Sequence, residues 1–220
     1  MSPLRPNNDH RCQSHPMTIS GICFITDRTY CSLSPAEMTR IVLEAGVSFI
    51  QYRDKNRTRR EIYEEALRLR ELTLQHRAAF IVNDHVDIAL AVDADGVHLG
   101  QDDLPLAEAR RIMGGKIIGI STHSLTEAKE AEAGGADYIG FGPIFLTTTK
   151  DAGSPQGIDN LRSIKQNVCI PVVAIGGISA ENIAYVFEAG ADAAAVATAI
   201  CRGDIRENAA RMMQLVKTRR

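Results

Sequence analysis

The feature that most constrains this chain is a repeat. From Gly21 onward, a polar stretch with helical periodicity closes on small residues, and a short apolar run follows. The junctions "LEAGVSFIQYR", "AVDADGVHLGQ", "EAGGADYIGFG" and "FEAGADAAAVA" are copies of that pattern. Glycine suits the left-handed residue that commonly ends a helix. The apolar runs are too uniformly hydrophobic to keep one face in water. Such strands belong to parallel sheets covered by helices. The intervening segments are amphipathic: "RREIYEEALRLRELTLQH" carries Ile62, Ala66, Leu69 and Leu72 at helical spacing.

Eight runs qualify as strands: Ile22–Thr26, Phe49–Arg53, Phe80–Asn83, Val97–Leu99, Ile117–Ser121, Tyr138–Phe141, Val172–Ile175 and Ala193–Ala197. Each is followed by a helix-like segment. Eight alternating units in about 200 residues predict an α/β fold, a single (β/α)8 TIM barrel with parallel strands. The competing arrangement, an open doubly wound sheet, usually carries a GxGxxG turn after its first strand. Here that strand runs into "TDRTYC", which has no glycine. The barrel is expected over residues 18–220. Residues 1–17, "MSPLRPNNDHRCQSHPM", are polar and proline-bearing and read as a disordered tail, with Met17 an alternative start.

Composition excludes several classes of function. The net charge is −2, so no general basic field marks a nucleic-acid partner, and any anion site must be local. No apolar run approaches the roughly 18 residues of a membrane span. The five cysteines are scattered without a CxxC pair, which indicates neither a zinc site nor a disulfide framework. A reducing cytoplasm is the expected location. The expected partners are small molecules, and a homo-oligomer is neither required nor excluded.

A barrel places its chemistry at the C-terminal ends of its strands. Those positions carry Gln51, Arg53 and Lys55; Asn83 and Asp84; Gln101, Asp102 and Asp103; Ser121 and His123; Thr147 to Lys150; and Gly176 and Gly177. Asp84 and Asp103 end the third and fourth strands, expected neighbours about 4.8 Å apart. Two hard oxygen ligands with room for water and a phosphate suit Mg²⁺. The alternative is that each carboxylate caps the helix that follows it, near His85 and Pro105. Arg53 and Lys55 fall on one side if the strand stays extended, offering a planar fork and a compact charge to a phosphate. The solvated-loop alternative fits Arg57, Arg59 and Arg60 better. "GPIFLTTTK" and "DAGSPQG" form a hydroxyl-rich, flexible stretch that suits anion binding or a closing lid, or else an ordinary Thr-rich turn. "VVAIGGIS" and "AVATAI" end the last two strands, where such barrels often hold phosphate on backbone N–H groups. Two anion sites are therefore expected. One is linked to Mg²⁺ and lined by Arg53, Lys55 and Lys150; the other is metal-free. An enzyme joining a diphosphate-bearing donor to a monophosphate-bearing acceptor needs that combination.

"QYRDK", "VNDHVDIALAVDADGVHLGQDDLP", "IIGISTHS", "ADYIGFGPIFLTTTK" and "VVAIGGIS" closely resemble thiamine phosphate synthase, in family order across nearly the whole chain after the tail. The resemblance implies a transferase of thiamine biosynthesis. It would couple 4-amino-2-methyl-5-hydroxymethylpyrimidine diphosphate to 4-methyl-5-(2-phosphoethyl)thiazole, or its carboxylated precursor, with Mg²⁺. Thiamine phosphate and pyrophosphate are the implied products, formed through a pyrimidine methylene cation. By the same resemblance Asp84 and Asp103 bind Mg²⁺. Arg53, Lys55, Asn83, Ser121 and Lys150 hold the pyrimidine diphosphate, with Gln51 near the ring. Thr147, Thr149, Gly177, Ala197 and Thr198 hold the thiazole phosphate. The chain departs from the family pattern at His85, Leu146, Ala197 and Thr198. A thiazole tautomerase, or a non-catalytic thiazole-phosphate-binding barrel, is the alternative function. Neither needs the joint presence of Arg53, Lys55, Asn83, Asp84, Asp103 and Lys150. A barrel isomerase would need an acid–base pair. His98 reads instead as a hydrogen-bonded interior histidine, and His123 has no assigned role.

Overall fold

Eight parallel strands pair in sequence order and close on themselves, β1 meeting β8. The computed structural model describes residues 19–147 and 153–218. The tail expected at residues 1–17, and the site candidates Thr149 and Lys150, lie outside them. The strands are β1 (Gly21–Ile25), β2 (Phe49–Tyr52), β3 (Ala79–Asn83), β4 (Gly96–Leu99), β5 (Ile117–Thr122), β6 (Tyr138–Phe141), β7 (Val172–Ile175) and β8 (Ala193–Val196). All eight sequence-predicted strands are present, with ends displaced by no more than a residue.

The helices begin where their sequences say they should. Ser34 caps α1 (Pro35–Glu44) and Thr58 caps α2 (Arg59–Gln75), each completing a capping box with Glu37 or Glu61. Then come α3 (Val86–Ala91), α4 (Leu106–Met113), α5 (Leu125–Ala133), α6 (Gly157–Asn167) and α7 (Ile183–Glu188). The segment after β8 departs from one continuous helix. It forms a short α8 (Thr198–Cys201), breaks at Arg202 and Gly203, and restarts as α9 (Ile205–Lys217). The restart is capped by Asp204, whose carboxylate accepts from the N–H groups of Arg206 and Glu207. The break leaves a one-turn helix at the barrel mouth.

Strand alternation sorts the core into two layers. Phe24, Ile50, Val82, Val97, Leu99, Ile118, Ile139 and Ala174 pack outward beneath the helices. Cys23, Ile25, Phe49, Ile81, Tyr138 and Val173 fill the barrel interior with the alanines of β8. Continuing the inward alternation one step toward each C-terminal end brings up Gln51, Asn83, His98 and Ser121. The apolar plug below and the polar ring above therefore come from one periodicity.

The opposite, N-terminal face carries a device that repeats three times. Asp95, Asp137 and Asp192 precede β4, β6 and β8. Their carboxylates accept from the backbone N–H of Phe80, Ile118 and Val172 on the preceding strands, at 2.8, 2.7 and 2.8 Å. Each also meets a cation from a preceding helix: Arg70, Arg110 or Lys165. These aspartates thus tie odd strands to even ones. Cys23, Cys31, Cys169 and Cys201 are free thiols. No helix among the described residues is long and apolar enough to cross a membrane.

Candidate active site

β2 brings Gln51 to the barrel interior, where it is buried, and ends at Tyr52. Arg53 follows, held by Thr26: the Thr26 hydroxyl donates to the Arg53 carbonyl at 3.2 Å and accepts from the Arg53 N–H at 3.0 Å. This side chain extends the β1–β2 ladder beyond the last strand residue. The extended geometry does not continue to Lys55, because Asn56 donates its N–H to the Asp54 carboxylate and turns the chain. Lys55 instead reaches across to Asp84, with Nζ 3.5 Å from Oδ2.

Asp84 does not cap a helix. The N-cap of α3 is His85, and no side chain caps it. Asp84 takes a left-handed backbone conformation, φ 66°, fixed by its N–H donating to the His98 carbonyl at 2.8 Å. Asp tolerates that region better than most residues, though it still costs free energy. Asp103 is not a cap either: α4 starts after Pro105 without a side-chain cap, and Asp103 Oδ2 accepts from the Gly100 N–H at 2.7 Å. Both capping alternatives therefore fail, and the two carboxylates converge. Partial burial raises the Asp84 carboxyl above its ordinary range, and the neighbouring Asp103 carboxylate raises it further, while Lys55 pulls it down. A site that crowds two acids beside one ammonium group is short of positive charge.

That shortage is the test of fit for a divalent cation. Among the described residues no group of three or more His, Cys, Asp or Glu side chains could form a closed metal cage. Two carboxylates with open surroundings suit Mg²⁺, which keeps several waters and takes phosphate oxygens. The donor set fits.

A cleft of about 890 Å³ opens beside this cluster, over the second half of the barrel. Arg53, Ser121, Thr147, Gly177, Ala197 and Thr198 line it. Gly176 and Gly177 have φ 98° and 65°, and a Cβ on them would lie 2.5 Å from the Pro143 Cβ and the Leu146 carbonyl. The β7–α7 turn therefore packs against the β6–α6 loop through backbone alone, with Phe145 N–H donating to the Gly176 carbonyl at 3.0 Å. Two residues expected to hold the diphosphate, Arg53 and Ser121, line this cleft together with the candidates for the thiazole phosphate. Arg53 stands at the junction of the two groups. Asn83 lies in register with His98 beneath the carboxylates.

Sequence reasoning missed several residues. Asp27, Arg202, Asn208 and Arg211 also line the cleft. Asp27 sits at the end of β1 and could have been found by the strand-end rule applied to the first strand. Arg202 could not: it comes from the break between α8 and α9, and stacks its guanidinium over Tyr30 at 4.6 Å. His98 is interior and hydrogen-bonded, as expected, but its partners include Ser121, with Nε2 2.9 Å from Oγ. His123 lines the cleft and places Nδ1 2.7 Å from the Gly142 carbonyl.

Residues 22–200 match the family model described as thiamine monophosphate synthase. The chain belongs to that family. The thiamine-phosphate synthase of Chloroflexus aurantiacus is 52% identical over 191 residues, covering 84% of this chain and 88% of that protein. The thiamine-phosphate synthase of Pelotomaculum thermopropionicum is 53% identical over 169 residues, covering 76% and 78%. Among solved structures, a thiamine phosphate pyrophosphorylase from Pyrococcus furiosus superposes with a TM-score of 0.84 at 43% identity, covering 90% of this chain and 96% of that one. The resemblance read from the motifs and the barrel read from the repeat meet in one family of thiamine monophosphate synthases.

Proposed function

We propose that this chain makes thiamine phosphate. It joins 4-amino-2-methyl-5-hydroxymethylpyrimidine diphosphate to 4-methyl-5-(2-phosphoethyl)thiazole and releases pyrophosphate; with the carboxylated precursor of the thiazole, CO2 is released as well. The observation that carries the reading is the convergence of Asp84, Asp103 and Lys55 beside a cleft lined by Arg53 and Ser121. Family membership supports it. The synthase reaction is one of charge separation, and this site is built of charges.

Asp84 and Asp103 would hold Mg²⁺. When bound, the ion neutralises negative charge that develops on the departing pyrophosphate. Lys55, Arg53 and Lys150 donate to the diphosphate oxygens, and Asn83 and Ser121 fix its orientation. As the C–O bond breaks, its electron pair leaves with the pyrophosphate. The 4-amino group delocalises the methylene cation that remains. The thiazole, held through its phosphate by Thr147, Thr149, Gly177, Ala197 and Thr198, then forms the new C–N bond with its ring-nitrogen lone pair. The step needs no protein base, which agrees with the absence of a facing acid–base pair from the sequence-predicted residues. The substrates are small molecules, and a cytoplasmic setting is part of this reading.

Pyrophosphate release tests the reading. It should require both precursors together. Release from the pyrimidine diphosphate alone at the same rate would point to a hydrolase, and conversion of thiazole-phosphate isomers alone would point to the tautomerase.

A further inference from the structure

We infer that Asp54 is a positioning residue for Lys55: its carboxylate ties the turn that carries Lys55 to the start of α2, and so fixes the point from which the ammonium group moves between Asp84 and the diphosphate. This role rests on the functional reading above and adds to it a residue outside the charged cluster. Asp54 lies between Arg53 and Lys55 in sequence, yet its side chain is only 7% exposed, against 52% for Lys55.

The chain is anchored on both sides of Lys55. Before it, the Thr26 hydroxyl takes both the N–H and the carbonyl of Arg53, so β1 holds the backbone as far as Arg53. Asp54 carries the next anchor. Its Oδ1 accepts from the Asn56 N–H at 3.0 Å and bends the chain around Lys55. Its Oδ2 lies 3.6 Å from Arg57 Nε. Arg57 Nη1 in turn lies 3.6 Å from Glu61 Oε1. Glu61 closes the α2 capping box, its Oε2 accepting from the Thr58 N–H at 2.9 Å and from the Thr58 hydroxyl at 2.8 Å. One carboxylate thus joins the Lys55 turn to the first turn of a 17-residue helix.

Two features separate Asp54 from an ordinary turn residue. Asp and Asn make such turns readily on an exposed surface. Here the carboxylate is buried, and Oδ2 accepts no hydrogen bond from the described residues. Burying a charge that is incompletely hydrogen-bonded costs free energy. The second feature is what the turn carries. The Lys55 ammonium is 3.5 Å from Asp84 Oδ2 and half exposed, which makes a weak pair. Mg²⁺ held by Asp84 and Asp103 would repel that ammonium group, and diphosphate oxygens would attract it. Lys55 therefore has to change partners on a flexible four-carbon stem. A backbone fixed on both sides confines the ammonium group to the few positions that serve both partners, and lowers the entropy lost when the diphosphate binds.

Titration calorimetry with inorganic pyrophosphate in Mg²⁺ reads this without turnover. Asp54→Ala should weaken binding on the order of tenfold. Asp54→Asn keeps an acceptor for the Asn56 N–H and should recover most of the loss. Arg57→Ala, a change at a partly exposed side chain, should weaken binding in the same direction by cutting the tie to α2. A double-mutant cycle separates positioning from general damage to the fold. With Lys55→Ala already present, Asp54→Ala should change the affinity less than about twofold. With Arg53→Ala present it should keep its full effect, because Thr26 holds Arg53 independently. In steady-state kinetics Asp54→Ala should raise the KM for the pyrimidine diphosphate and leave that for the thiazole phosphate unchanged. An Asp54→Ala affinity equal to that of the wild type, or a loss that persists in full with Lys55→Ala, would overturn the role of Asp54. A wild-type protein that binds no pyrophosphate in Mg²⁺ would instead overturn the functional reading on which that role rests.

Discussion

Replacing Asp84 with glycine should stabilise the protein while nearly abolishing its turnover. Asp84 sits at φ 66°, a conformation that glycine adopts without strain. The left-handed penalty for a residue with a Cβ is about 1–2 kcal/mol. The substitution also removes a half-buried carboxylate from beside that of Asp103, which acts in the same direction. Two effects oppose it. A glycine loses more freedom on folding, about 0.5–1 kcal/mol. The ion pair with Lys55 is lost, but Lys55 is half exposed at 3.5 Å, so that contributes less than about 1 kcal/mol. These backbone and ion-pair effects nearly cancel, so relief of the repulsion from Asp103 sets the sign and favours the variant by up to about 1 kcal/mol, or at most roughly 2–4 °C in melting temperature for a chain of this size. Calorimetry in EDTA reads this directly. Added Mg²⁺ should raise the melting temperature of the wild type but not of the variant. Turnover should fall by roughly 10²–10⁴, the scale of losing electrostatic stabilisation of a leaving group. A variant that melts below the wild type in EDTA would refute the claim that Asp84 is held in place at the expense of stability.

The other predictions concern the parts that position this cluster. Asp192→Ala leaves the Val172 N–H and Lys165 without their acceptor, and should cost about 2 kcal/mol, lowering the melting temperature roughly 4–8 °C with kcat unchanged. Gly176→Ala forces a Cβ to 2.5 Å from Pro143 at φ 98°, and should cost about 2–4 kcal/mol and raise the KM for the thiazole phosphate, seen by melting and steady-state kinetics. Glu61 is held below its ordinary pKa first by the Thr58 backbone N–H and then by its hydroxyl. A lowered folded pKa means that the stabilisation is present above the unfolded pKa and fades as pH falls through the folded one. The melting difference between wild type and Glu61→Ala should therefore be full at pH 7 and shrink below about pH 4.

Much of this was legible in the sequence, for a physical reason. A parallel strand covered on both sides must be apolar throughout, so a run such as "AFIVN" reveals both its strand and, at Asn83, its end. Charged residues at those ends cannot belong to the core, which is why Arg53, Asp84 and Asp103 stood out. What stayed hidden depended on distances through space. Capping and metal binding would place the same residue type after a strand, and the sequence does not reveal that His85, not Asp84, is the N-cap of α3. His98 and Tyr138 lie forty residues apart on β4 and β6, and their side chains meet across β5, which lies between those strands. The sequence does not show that Gly119 and Gly140 leave room for the Tyr138 and His98 rings. The split of the last helix was signalled by "RGD" before α9, a Gly followed by a capping Asp, but its role in bringing Arg202 to the cleft was not.

This cluster of charges should make thiamine phosphate. The most direct test mixes the purified protein with both phosphorylated precursors, with Mg²⁺ or with EDTA, and follows thiamine phosphate by mass. Product that forms with Mg²⁺, fails in EDTA and fails with Asp84→Gly is the predicted result. Folded protein that leaves both precursors intact in Mg²⁺ would contradict it.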